Sequence, residues 1–162
     1  MQIAGPDWVR AFALQGLSDL RIREKLIGLR VERCHLLHFL QMATEKICKA
    51  HLATKPGDGV RNTHACVQRV LPMLARQVLA PEEIKSWQMQ ALKRAARQIE
   101  LLAPAVHEAG TRQDNTEYPW MDGSGNLQTP CEYAFPEIDD EDRILVLVIR
   151  LLREAAESYV ER

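Results

Sequence analysis

The feature that most constrains the fold of this chain is one long stretch of helical periodicity, from Arg30 to Lys55. Apolar side chains recur in it at steps of four and three residues, which places them along one side of an α-helix. They are Leu36, Leu40, Ala43, Ile47 and Ala50. No Gly or Pro interrupts the pattern before Pro56 and Gly57. We therefore predict a single uninterrupted helix at the centre of the protein.

A second, polar stripe runs along the same predicted helix. Its members are Cys34, His38, Gln41, Glu45 and Lys49. Glu45 precedes Lys49 by four residues, the order that favours an ion pair on a helix. A His held by a carboxylate can act as a base or bind a phosphate. The same side chains can instead form a hydrogen-bonded seam that specifies helix packing, and the sequence leaves both interpretations open.

Further helices are predicted on both sides of this stretch, from apolar periodicity and from Pro and acidic residues at the expected starts. They span residues 7–28, 64–77 and 139–161, with one more that begins at Pro81 and ends before Pro104. Gly16 and Gly28 should weaken the first of them by about 1 kcal/mol each. Pro72 should kink the 64–77 helix or divide it.

Residues 103–138 have no helical period and are rich in Pro and Gly. A loop of this length is unusual in a compact domain and is often functional. Its aromatic residues are Tyr118, Trp120, Tyr133 and Phe135. They can form a stacking surface for a base or a small ligand, or they can pack the loop onto the helices. Residues 132–135 are also predicted to form a short strand.

These elements predict an all-α fold in one domain, residues 1–162. The expected architecture is an up-down helical bundle of four to five helices with one long loop before the last helix. The 21 basic and 22 acidic side chains give a net charge of −1, which provides no general attraction to nucleic acid or to an anionic membrane.

Several function classes lack their usual signals. No apolar run of about 18 residues and no secretory leader pattern is present, so we expect a cytoplasmic protein with no membrane contact. The four cysteines form no CxxC pair, and we expect them to be reduced and packed. Neither HExxH nor a Gly-rich phosphate loop occurs. We therefore predict no metal and no cofactor.

Short motifs follow one another in a characteristic order. The central helix carries Gln41, Glu45, Lys46, Lys49, Ala50 and Leu52. Asp7-Trp8 opens the first helix, Thr63-His64 follows a turn, and Glu117-Tyr118-Pro119 comes late in the chain. Together these motifs resemble the HEPN family (higher-eukaryote and prokaryote nucleotide-binding domains), in which the late element has Arg where this chain has Glu117. The resemblance covers most of the chain.

The resemblance implies an up-down helical bundle, often a homodimer. It also implies a role in RNA cleavage, in toxin–antitoxin or defence systems, or as the partner of a small nucleotidyltransferase. Catalytic members place an R-x(4–6)-H pair on the last helix, where two copies meet. Residues 143–162 include Arg143, Arg150 and Arg153 but no His. We therefore expect a member that lacks the usual ribonuclease pair.

The same spacing occurs on the central helix, where Arg33 and His38 form an R-x4-H pair, as do Arg30 and His35. Five residues turn an α-helix by about 500°, so the two side chains of such a pair lie about 140° apart. Arg33 and His38 are thus candidates for catalysis only in an alternative hypothesis, a metal-independent ribonuclease that uses them across a dimer.

We expect a polar site between the central and last helices, covered by the 103–138 loop, with Arg33 at its floor. The candidate ligand-binding residues are His38, Gln41, Glu45, His64, Tyr118, Trp120 and Arg143. The expected function is a non-catalytic binding or regulatory module for a nucleotide, RNA or a protein partner. A second alternative is a purely structural interaction domain, which predicts an exposed apolar patch and no cavity with convergent polar groups.

Overall fold

The computed structural model describes residues 5–54, 64–80, 84–103, 114–135 and 142–161. The elements are α1 (Gly5–Leu29), α2 (Arg33–Ala53), α3 (Val67–Val78), α4 (Ser86–Glu100), β1 (Trp120–Met121), β2 (Leu127–Gln128) and α5 (Arg143–Val160). The described part of the chain is an all-α helical bundle with one antiparallel hairpin, in which each strand has two residues. The predicted fold class is therefore confirmed.

The helix α2 is the centre of the bundle, as its periodicity predicts. It contacts all four other helices, and Leu40, Ala43, Ile47 and Ala50 are fully buried. Leu36 is only partly buried. The apolar stripe thus supplies four of the twelve buried residues of α2. The others include Leu37 and four members of the polar stripe, Cys34, Gln41, Glu45 and Lys49.

α1 and α2 form a helical hairpin joined by residues 30–32. Arg30 ends α1 in the left-handed region, with φ of 54°, a conformation that usually selects Gly. Gly16 lies at the contact between the two helices, and a Cβ there would stand 2.5 Å from Cγ1 of Ile47. Gly16 is therefore a point of close approach, which the sequence pattern does not reveal.

α5 joins the bundle along its apolar face. Leu145, Val148, Leu151 and Leu152 are buried. The Asp142 carboxylate caps this helix by accepting a hydrogen bond of 2.7 Å from the Ile144 N–H. At the other end, a hydrogen bond of 2.8 Å joins Nδ1 of His51 in α2 to the hydroxyl of Tyr159 in α5.

Several predicted boundaries differ from the structure. Residues 132–135 form no strand; the hairpin lies earlier, because the turn from Asp122 to Gly125, with φ of +81° at Gly125, reverses the chain there. Pro72 is buried within α3 and does not end that helix. The predicted helix starts at Thr63 and at Pro81 lie outside the described residues.

The described cysteines are all free. Cys34, Cys48 and Cys66 are buried, as predicted for packed thiols, whereas Cys131 is exposed. None of the helices in the described part of the chain is long and apolar enough to cross a membrane.

Candidate functional site

A cavity of about 280 Å³ lies where α2 meets the segment before α3, the residues after α4 and the loop before β1. Its lining consists of Gln41, Met42, Glu45, His64, Ala103, Glu117 and Tyr118. Its volume is close to the lower limit of about 300 Å³ for small-molecule pockets, so the cavity suits one small group. Five of the seven predicted ligand-binding residues lie in this region: four line the cavity, and His38 lies beside the lining residue Glu117.

Glu45 organises the side of the cavity formed by α2. Its Oε1 lies 2.7 Å from Nζ of Lys49 and 3.1 Å from Nδ1 of His64. Its Oε2 accepts a hydrogen bond of 2.8 Å from Nε2 of Gln41. Glu45 and Lys49 are both more than nine-tenths buried. A buried charge is strongly unfavourable unless it is paired, and here the polar stripe of α2 provides the pairing.

Gln41 contributes an unused acceptor to the cavity. It is only 2% exposed, and its amide nitrogen is committed to Glu45. Its carbonyl oxygen accepts no hydrogen bond from any residue that the structure describes. An acceptor of this kind, on a buried side chain that lines the cavity, favours a ligand or a water molecule that donates a hydrogen bond.

Asn115 shapes the opposite wall, and the sequence analysis missed it. This side chain is 5% exposed. Its Oδ1 accepts hydrogen bonds of 2.8 Å and 2.7 Å from the N–H groups of Glu117 and Tyr118, and its Nδ2 donates to the Tyr118 carbonyl at 3.2 Å. Asn forms turns of this type readily. The sequence signal that could have indicated this turn is the position of Asn115, three residues before Tyr118.

His38 contacts this wall without lining the cavity. Its Nδ1 lies 3.8 Å from Oε1 of Glu117, and both side chains are 29% exposed. This Nδ1 is buried and makes no hydrogen bond among the described residues. His38 therefore reaches the site only through the carboxylate of Glu117.

Three other candidate residues do not line the cavity, contrary to the expectation from sequence. Trp120 stacks edge-on against Tyr133, with centroids 4.9 Å apart, and belongs to an aromatic cluster that continues to the buried Phe135. Arg143 is exposed at the start of α5. Arg33 begins α2, away from the lining.

The cavity was expected between α2 and α5, but no described residue of α5 lines it. The reason is the apolar start of α5. Leu145 and Val148 are buried in the core, so this end of the helix packs against the bundle, and Arg143 is left exposed.

No activated thiol is present next to Glu45. Burial, with the charge of Glu45, raises the pKa of Cys66 to about 12. Burial also raises the pKa of Cys48 well above its usual value. Since the thiolate is the reactive form of cysteine, both side chains are inert core residues at neutral pH.

The chemistry that the cavity offers follows from its lining residues. Among the described residues, no group of three or more His, Cys, Asp or Glu side chains is placed to hold a metal ion. What the cavity offers is acceptor oxygens beside an exposed aromatic ring. Comparison of the chain with family models, curated proteins and solved structures finds no match. The chemistry of the cavity is thus the basis for a functional proposal.

Proposed function

We propose that this protein is a HEPN-like, non-catalytic binding or regulatory module that takes a nucleotide or an RNA base in the cavity beside Glu45. The observation that carries the proposal is the combination of an exposed aromatic ring with acceptor groups in one cavity. Tyr118 is 62% exposed and lines the cavity together with Gln41 and Glu117. Proteins recognise unpaired bases by stacking on such rings and by hydrogen bonds to the base edges.

The geometry gives less support to the ribonuclease alternative. Arg33 and His38 both lie on the regular helix α2, where their spacing leaves them about 140° apart. Cys66 is held protonated, and α5 contributes no His. The purely structural alternative predicts no cavity with convergent polar groups, so the cavity itself argues against it.

The wider setting follows from the resemblance. We place the protein in the cytoplasm as a homodimer in a toxin–antitoxin or defence system, with a nucleotidyltransferase as its candidate protein partner. Apolar side chains are exposed on α1 and α5, and we propose that a second copy of the chain covers them: Ile22, Ile27, Leu29 and Val146. The mass in solution tests this part, and a mass of one chain at every concentration would contradict it.

The binding proposal is tested with a single-stranded RNA of mixed sequence, titrated against the full chain by fluorescence anisotropy. Stacking of one base contributes about 1–3 kcal/mol, so Tyr118→Ala should weaken binding about fivefold or more. Trp87→Ala is the matched control, since Trp87 is 57% exposed on α4 and does not line the cavity. RNA binding that is equally insensitive to both substitutions would reject the cavity as the binding site.

The same RNA, recovered after the titration, separates binding from cleavage. We expect it to be intact. Cleavage that disappears in His38→Ala would establish the ribonuclease alternative and would move the reacting group to α2. Cleavage that persists in His38→Ala would point to a contaminating nuclease and would leave the binding proposal unchanged.

A further inference from the structure

We infer that the base held in the cavity is guanine, recognised through its N1–H and N2–H donors by the Glu117 carboxylate, with the Gln41 carbonyl oxygen as an additional acceptor. This inference rests on the proposed function and names the ligand of the same site. It goes beyond the resemblance, because it depends on a glutamate at a position where the family has an arginine.

Hydrogen-bond donors beside the cavity are used within the protein, whereas acceptors are left free. Three donors beside the cavity are directed at Glu45. Nε2 of Gln41 and Nζ of Lys49, both on α2, and Nδ1 of His64, before α3, all lie within 3.1 Å of its carboxylate. These donors are occupied within the protein. A ligand in the cavity therefore meets mainly acceptors.

The Glu117 carboxylate has acceptor positions that the described part of the protein leaves free. An ionised carboxylate offers two acceptor oxygens with about four acceptor positions. Among the described residues, the only possible ion-pair partner of Glu117 is His38, at 3.8 Å, which is longer than a hydrogen bond. Both oxygens thus remain available to a ligand, and paired N–H donors bind a carboxylate in a bidentate manner.

The four bases differ in the donors and acceptors that they would present to Glu117. Guanine presents N1–H and an N2–H side by side on its Watson–Crick edge, which matches one carboxylate. Adenine and cytosine place a ring-nitrogen acceptor beside their amino group, and uracil has one N–H between two carbonyls. Each of these would turn an acceptor toward Glu117, and juxtaposed acceptors discriminate against the wrong ligand.

The charge and the apolar surface of the cavity lining also favour an uncharged flat ring. The Glu117 carboxylate lines the cavity, no described Lys or Arg does, and Lys49 is buried against Glu45. A phosphate in the cavity would therefore meet a carboxylate without a lysine or arginine to pair with. The exposed ring of Tyr118 and the side chain of Met42 supply apolar surface for a flat ring. A guanidinium group has the same paired donors but is smaller than a bicyclic base and covers less of this surface.

The test is isothermal titration of the full chain with four phosphate-free nucleosides: guanosine, adenosine, cytidine and uridine. Guanosine should bind at least about tenfold more tightly than the other three, the difference expected when paired acceptors are matched or mismatched. Guanosine monophosphate should bind no more tightly than guanosine. Methylguanidine serves as the probe for an arginine side chain.

Two variants locate the selectivity. Glu117→Gln should remove the preference for guanosine, since an amide replaces one acceptor oxygen with a donor. Glu132→Gln is the matched control, because Glu132 is an exposed carboxylate of the same loop that does not line the cavity. Circular dichroism melting checks the fold of both variants. If Glu117→Gln does not fold, the ranking of the four nucleosides by the unaltered protein still decides the inference.

The outcomes separate this inference from the proposed function. Nucleosides that bind through Tyr118 without a guanosine preference, or a preference that survives in Glu117→Gln, would overturn the guanine assignment and leave the binding function standing. Methylguanidine that binds more tightly than guanosine, in a manner that depends on Glu117, would assign the cavity to an arginine side chain and overturn guanine. A protein that binds no nucleoside and no RNA would overturn both proposals.

Discussion

Two buried carboxylates, each paired with a lysine of α2, show how the same chemistry serves two different regions of this molecule. Asp19 of α1 meets Nζ of Lys46 at 2.6 Å, and Glu45 of α2 meets Nζ of Lys49 at 2.7 Å. Both carboxylate side chains are less than one-tenth exposed. The first pair joins two packed helices, whereas the second borders a cavity.

The difference lies in what surrounds each carboxylate. Asp19 sits at the contact between α1 and α2, and its other partner is Gln15 one turn away at 3.3 Å. Glu45 has Gln41 and His64 as further partners, and together with them it lines open space. A charge pair between packed helices fixes their alignment. A charge pair beside a cavity also holds the groups that a ligand would meet.

Neutralising each carboxylate in turn should give the largest effect and should separate the two regions. Asp19→Asn leaves Lys46 charged without its partner, and breaking a buried pair typically costs 3–5 kcal/mol. Because Lys46 is 20% exposed and can partly reach water, we expect a loss of about 2–3 kcal/mol in the free energy of unfolding. Glu45→Gln should lose more, about 3–4 kcal/mol, since Lys49 is only 7% exposed and does not line the cavity, so water reaches its ammonium group less easily.

Chemical denaturation measures both losses, with an unchanged m-value as the sign that only stability has changed. Nucleoside binding supplies a second readout, which should decline in Glu45→Gln and stay unchanged in Asp19→Asn. Equal losses of stability with no change in binding would show that the cavity side of α2 is ordinary core.

The next effect tests how tightly the α1–α2 side is packed. Gly16→Ala places a methyl group 2.5 Å from Cγ1 of Ile47 and 3.3 Å from the carbonyl oxygen of Ala43. Overpacking of this kind typically costs about 1–3 kcal/mol, offset in part by a helix-propensity gain of up to about 1 kcal/mol. We expect a net loss of about 1–2 kcal/mol in the free energy of unfolding, measured by thermal or chemical denaturation.

Gly28→Ala is the matched control within the same helix. A Cβ at Gly28 meets nothing within 4 Å, so only the propensity gain remains and the protein should become more stable by about 0.5–1 kcal/mol. A Gly16→Ala variant as stable as Gly28→Ala would mean that α1 can move away from α2 without penalty.

The region built on helical periodicity is also the region that sequence reasoning predicts well. The burial of Leu40, Ala43 and Ile47 follows from spacing alone, since an amphipathic helix has one way to face a core. The polar stripe of α2 likewise places Gln41 and Glu45 on one side. Spacing alone does not give every core residue, because Leu36 of the predicted stripe is only partly buried and Leu37 outside it is buried.

The cavity could be predicted only in part, because its second wall is a loop without periodicity. Tyr118 and Trp120 straddle Pro119 and look equivalent in sequence, yet one lines the cavity and the other stacks on Tyr133. On the cavity side, the Asn115 side chain holds the backbone of Glu117 and Tyr118 through hydrogen bonds. Such bonds depend on the path of the loop, which residue spacing does not encode.

A smaller effect on stability, with a direct effect on binding, is expected from Asn115→Ala. The substitution removes three hydrogen bonds to the backbone of Glu117 and Tyr118. A hydrogen bond of this kind contributes about 0.5–1.5 kcal/mol to stability. Because water can hydrate the freed N–H groups, we expect a net loss of only about 1 kcal/mol in the free energy of unfolding. Nucleoside affinity, measured by titration, should decline about tenfold because the wall is no longer held in place.

Asn126→Ala is the control for this variant. Asn126 is exposed in the hairpin turn, and its side chain donates only to Oδ2 of Asp122, at 3.4 Å. Its loss should change neither nucleoside affinity nor global stability by a measurable amount. If the two variants bind nucleosides equally well, Asn115 is a structural turn residue with no part in placing Tyr118.

The smallest effect concerns Asp122, a partly exposed carboxylate that completes the contrast with the two buried ones. The backbone N–H of Asn126, with further hydrogen bonds from the Gln128 amide and the Ser124 N–H, holds the pKa of Asp122 below its usual value. Since the pKa is lower in the folded protein, these bonds stabilise the hairpin fully above the unfolded value and are lost as the pH falls through the folded value.

Nuclear magnetic resonance titration of the Asp122 carboxyl carbon, beside the side-chain amide of Gln128, tests this sign. Both signals should change together at a pH below the ordinary aspartate value of about 3.9, and Asp122→Asn should abolish the transition of the amide. A midpoint at or above the ordinary value would contradict the hydrogen-bonded turn.

Asp122→Asn also separates the hairpin from the cavity at neutral pH. Nucleoside binding that is retained in this variant and lost in Asn115→Ala would show that the Tyr118 wall is held from the Asn115 side.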